Sequence, residues 1–174
     1  SRSIISYILL ITIPYLALDA FIEYFIPVYT LNYGLNVEEI SLLIVIYYMC
    51  RSFLSTSTTK FINSRFKKWS IYISSSISFL ALSLFAYLPI LPILIITTFL
   101  LGIGASFGNT VNIEYFLSQD IVKKYGEQKS MDIYSFIRNT GYSIGPIIFG
   151  LILSFGASLG ILIFVMVAFV FLLI

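Results

Sequence analysis

Six stretches of this 174-residue chain run for about twenty residues with almost no charge, and nothing constrains its fold more. They cover about 4–31, 40–59, 70–88, 91–118, 134–154 and 157–174. A chain that buries such runs in lipid has no water to satisfy its backbone, so each must close its own hydrogen bonds as a helix. The alternating polarity of a spanning β-strand is absent. Composition agrees: 59% of residues are hydrophobic and 10% charged, against about 25% charged in soluble domains. Mean hydropathy is +1.01. The expected fold class is therefore all-α, a polytopic membrane protein with six transmembrane helices in one bundle.

The same inventory removes whole classes of function. A net charge of +2, without basic residues interleaved with stacking aromatics, argues against nucleic acid. One cysteine, Cys50, excludes an intrachain disulfide, and the default reading is a structural thiol. Histidine is absent, which removes His-ligated haem and zinc, serine–histidine triads and histidine proton carriers. No cofactor, no metal and no enzymatic activity are expected. The apolar run from Ile4 past Tyr15 lacks the small-residue cleavage site of a signal peptide. The sixth run stops at Ile174 without a basic flank and reads as a cut edge or as a natural end without a tail.

Orientation follows from lysine and arginine. Arg2 precedes the first run; Lys60, Arg65, Lys67 and Lys68 lie between the second and third; Lys123, Lys124, Lys129 and Arg138 lie between or beside the fourth and fifth. Of the ten basic residues only Arg51 falls elsewhere. The positive-inside rule then puts the N-terminus and both basic loops in the cytoplasm of a cell (plasma) membrane protein. Trp69, beside Lys68, suits an interfacial anchor.

Two features resemble a known pattern. The basic loop STTKFINSRFKK and the Gly-Pro-rich fifth run RNTGYSIGPIIFG, on six inside-started helices, are similar to one half of a major facilitator superfamily transporter. The loop keeps Arg65, Lys67 and Lys68 of the family's motif, with Phe61 where the family has aspartate. The fifth run keeps Gly141, Gly145, Pro146 and Gly150 of the antiporter-type motif, with Phe149 in place of one glycine and Asp132 in place of a more distant one. In the fourth run LLGIGASFG resembles the family's small-residue segment, and Thr98 stands where its functional arginine would be. The resemblance implies a six-helix half-bundle over 1–174, with the Gly-Pro run and the chain's edge pointing to the N-terminal half. It implies a second six-helix half, in the same chain or a partner chain, and a small-molecule site between them with a proton as candidate coupling ion.

Candidate positions follow from depth and charge. Asp19 and Glu23 share a helical face with Thr12 and Tyr15, and Asp19 lies about 18 Å below the outer end of its run. Intramembrane carboxylates cost about 2.5–3.5 kcal/mol on insertion scales and face a bundle interior or a wet cavity. Arg51 lies at matching depth, about 16 Å into the second run. An Asp19–Arg51 pair is either a structural neutralisation or part of coupling, in which Asp19 would bind and release the proton. Helix four carries Thr98, Gly102, Ala105, Asn109 and Asn112 as a small, polar stripe. By the resemblance, Asn109, Asn112 and Tyr15 would line the cavity; interhelical hydrogen bonding is the competing reading. Glu114 would meet Arg138 or the basic loop of Arg65, Lys67 and Lys68 in a cytoplasmic gate, or stand as an interfacial carboxylate. DIVKKYGEQKSMDIYSFIR reads as a short amphipathic cytoplasmic helix, and SSSIS (Ser74 to Ser78) as intrahelical back-bonding.

Gly141 and Gly145 present a face for close backbone approach, and Pro146 removes a helix hydrogen bond, a bend that packing neighbours tolerate. That bend is a candidate hinge, or simply a means of tight packing. The expected function is alternating-access secondary transport. The competing expectations are a non-transporting subunit or assembly module with the same fold, and a membrane enzyme, for which no motif speaks.

Overall fold

The computed structural model describes residues 19–61, 67–87, 90–118 and 120–154. The described chain is helical throughout: a π-helical turn Phe21–Phe25 runs directly into α1 (Ile26–Asn32), followed by α2 (Val37–Phe61), α3 (Lys67–Tyr87), α4 (Leu91–Leu117), α5 (Asp120–Tyr125) and α6 (Glu127–Ser154). No strand occurs among the described residues. Two helices, within Val37–Thr58 and Leu91–Glu114, are long and apolar enough to cross a membrane, and Phe21–Leu31 and Tyr72–Phe85 are shorter apolar helices. The first run before Asp19 and the sixth run, 157–174, lie outside the described residues.

Helix limits follow local chemistry more closely than hydrophobicity. α2 begins at Val37, three residues before its apolar run, because Asn36 and Glu39 close a reciprocal capping box. The Glu39 N–H donates to Asn36 Oδ1 (2.8 Å) and the Asn36 N–H to Glu39 Oε2 (2.9 Å). The expected amphipathic loop helix is resolved differently. Gly126, at φ +83°, ends α5 after six residues. The residues Glu127–Ser154 belong to α6, which continues unbroken through Pro146. Its first two turns, polar and cytoplasmic in the sequence reading, are thus a rigid extension of the apolar fifth run.

Paired contacts give the directions. Asp19 meets Tyr142 and Phe21 meets Phe149, so the π turn and α6 run parallel. Asp19 meets Arg51 while Glu23 meets Tyr48, so α2 runs opposite to them. α4 is central. A Cβ on Gly102 would lie 2.8 Å from the Tyr47 carbonyl oxygen and from Cys50 Cβ of α2; one on Gly104 would lie 2.8 Å from Ser78 Oγ of α3. Ser74 Oγ donates to the Gly104 carbonyl at 2.7 Å. Ser74 therefore bonds across to a second helix rather than back along its own, a correction for this one serine of the run, and Ser70, Ser74 and Ser78, four apart, are buried on one face of α3. Phe21, Phe25, Tyr29, Phe85 and Phe149 form the apolar core, with ring centroids 5.0–5.5 Å apart between most neighbours.

Two substitutions test this scheme by thermal unfolding in detergent. Asn36→Ala removes the α2 cap and should cost about 1 kcal/mol. Gly102→Ala drives a methyl into α2 backbone and should cost about 1–3 kcal/mol. A Gly102→Ala protein as stable as the native one would contradict the close α2–α4 approach.

Candidate functional site

Asp19 is the centre of the site and is 2% exposed. It sits immediately before the π turn, where the helix interior would leave a carboxylate unsolvated. Three side chains from two other helices satisfy it. Arg51 Nη1 approaches Oδ1 at 2.6 Å, with the arginine side chain 17% exposed. The Tyr47 hydroxyl also donates to Oδ1, and the Tyr142 hydroxyl donates to Oδ2 at 2.8 Å. Tyr47 and Arg51 stand one turn apart on α2, so one face of that helix supplies both, and the guanidinium carbon lies 5.9 Å from the Tyr47 ring centroid. Both carboxylate oxygens are thereby bonded, and the charge is matched by a charge-assisted bond.

Glu23 follows one turn above and accepts a hydrogen bond from the Tyr48 hydroxyl. It is exposed, whereas Asp19 is buried. The π turn separates the two environments: Phe21, Ile22 and Phe25 enter the core, and Glu23 and Tyr24 are left on the surface. The carboxylates at 19 and 23 therefore do not act as equivalent members of one face.

α6 closes the site from the other side. Tyr142, Gly145 and Phe149 lie on one helical face. Tyr142 binds Asp19; a Cβ on Gly145 would overlap the Ala20 methyl; Phe149 packs on Phe21 and Phe25. Gly145 is the residue that permits Tyr142 to reach Asp19. Gly141 is buried, Pro146 is half-buried inside the helix, and Gly150 has open space where a Cβ would stand.

The remaining expected positions lie apart from this cluster or outside the description. Tyr15 and Arg65 are outside the described residues, and Lys67 and Lys68 open the first turn of α3. Asn109 is half-buried and Asn112 buried, about 10 and 15 Å along α4 from Gly102. Thr98 is buried and bonds the Leu94 and Ile95 carbonyls of its own helix. Glu114 is half-buried near the end of α4, and Arg138 is exposed on α6.

Sequence reasoning did not single out Tyr47, Tyr48 or Tyr142. The signal was present: Tyr47 stands four residues before Arg51, and Tyr142 three before Gly145, the two anchors already recognised. Comparison with protein-family models, characterised proteins and solved structures yields no match.

Removing Arg51 strands a buried carboxylate. Arg51→Gln should destabilise the protein by about 3–5 kcal/mol, and the added Asp19→Asn change should recover much of that loss. Unfolding of the single and double variants in detergent measures both. Equal stability of the two would show that the pair carries no net burial penalty.

Proposed function

We propose that the chain is one six-helix half of a secondary transporter resembling the major facilitator superfamily, placed in a cell membrane with its N-terminus in the cytoplasm. The observation that carries the reading is the Asp19–Arg51 pair, buried between apolar helices and held by tyrosines from α2 and α6. Ionisable groups at such depth are costly and mark ion or substrate pathways in membrane proteins. The membrane setting is supported by α2, an apolar helix whose Leu42, Val45, Met49 and Phe53 are all exposed. A soluble protein rarely leaves such a stripe in water.

In this reading Asp19 carries the coupling proton. A proton arriving at the carboxylate would cancel the charge that Arg51, Tyr47 and Tyr142 bind, and the attachment of α6 would weaken. Pro146 supplies no N–H to the Tyr142 carbonyl, so α6 is less constrained at the turn that would move. The substrate would be a small molecule bound between this half and a second six-helix half, with lipid around both. The full bonding of Asp19 favours one second reading, a non-transporting assembly module whose ion pair only pins helices together.

Proteoliposomes separate the two. Under an imposed pH gradient, flux of a small molecule from a screened panel should be lost in Asp19→Asn and slowed in a folded Pro146→Ala variant. Native flux in Asp19→Asn would remove the coupling role. Absence of flux across the panel, with or without the second half, would favour the assembly module.

A further inference from the structure

The π turn Phe21–Phe25 adds one residue to the helix between Asp19 and the apolar core. Its defining bond runs from the Ile26 N–H to the Phe21 carbonyl, five residues back. Pro27 follows and supplies no N–H to the preceding turn, so the backbone here is short of donors. Facing it, Pro146 leaves the Tyr142 carbonyl without its i+4 donor. The two weakened turns meet at the tightest contact of the site, Ala20 against Gly145.

We infer that the π turn is a register switch that moves Asp19 in and out of its cage. Ile26–Asn32 is anchored: Ile26 and Tyr29 are buried, and Tyr29 packs on Phe85. If Phe21–Phe25 closes to α geometry while that segment stays, the extra residue is absorbed on the Asp19 side. Asp19 and Ala20 then turn by about 100° and shift by about 1.5 Å along the helix axis. Ala20 takes the place of Asp19 between Arg51, Tyr47 and Tyr142, and Phe21 takes the place of Ala20 against Gly145. A phenyl ring does not fit where even a Cβ on Gly145 would overlap the Ala20 methyl. α6 must therefore move away, at the turn that Pro146 has loosened. The ion pair and Tyr142 bond hold the π register; their loss favours the α register, which regains i→i−4 bonding. π turns of this kind recur at functional sites. The switch lends the transporter reading a means of coupling, but its test does not depend on transport.

Solid-state NMR on the full chain in liposomes reads the register directly. Dipolar recoupling between the Phe21 carbonyl carbon and the Ile26 amide nitrogen reports the π bond, isolated by subtracting a Phe21→Leu spectrum. The native chain should show this contact. Asp19→Asn and Arg51→Gln should lose it, and the milder Tyr142→Phe should weaken it. Deleting Tyr24, an exposed residue of the turn, removes the extra residue and fixes an α-helix in the present register. The Asp19–Tyr142 side-chain contact should then survive Arg51→Gln, whereas in the undeleted chain Arg51→Gln abolishes it. An undiminished Phe21–Ile26 contact in whichever variants fold, or loss of the Asp19–Tyr142 contact while the π bond persists, would overturn the switch. Either result would leave the transport reading to its own flux assay.

Discussion

A carboxylate at 2% exposure must be bonded on every side, and the arrangement of the described helices follows from how Asp19 achieves this. Among the described residues of its own helix, its neighbours Ala20, Phe21 and Ile22 carry no side-chain donor. The donors come from α2 and α6, which are thereby fixed in rotation as well as position: α2 must turn Tyr47 and Arg51 inward, and α6 must turn Tyr142 inward. Two helices far apart in sequence are registered against a third by one acid. Apolar contacts alone specify helix rotation less sharply than a hydrogen bond to one buried atom does.

The glycines make the acid's reach possible. Tyrosine hydroxyls extend a fixed distance from the backbone, so α6 must come close enough for Tyr142 to bond Asp19, and Gly145 against Ala20 supplies that closeness. α2 is held near α4 by Gly102 in the same manner, while Ser74 and Gly104 join α4 to α3 by a hydrogen bond as well as by contact. Dispersion between closely approaching backbones is the main attraction among helices in lipid, and polar bonds fix which faces meet. The two kinds of contact are interleaved along α4 and α6.

Much of the fold was legible because it rests on one-dimensional signals. Apolar runs announce the helices, and equal depth along separate runs matched Asp19 with Arg51 before any contact was visible. Helix limits were less legible, since the Asn36–Glu39 capping box and the Gly126 break are polar features outside the apolar pattern. The roles of Tyr47 and Tyr142 were missed because tyrosine is common in this chain and its hydroxyl becomes informative only once a partner is located. Asp19 and Glu23, grouped on one face at 3.6 residues per turn, do both bond α2, yet across the π turn Asp19 is buried and Glu23 exposed.

That failure of periodicity carries physical content. An α-helix over Phe21–Phe25 would satisfy local propensity but would turn Asp19 away from Arg51. The observed turn gives up regular bonding so that the core phenylalanines and the acid face inward together. Local preference and tertiary bonding therefore oppose each other at this one place, and in the proposed switch the bonds to Asp19 set the balance. Such opposition is the condition for two accessible arrangements of one helix. α4, a continuous α-helix over Leu91–Leu117 with Gly102 and Gly104 set tightly against α2 and α3, shows no such opposition.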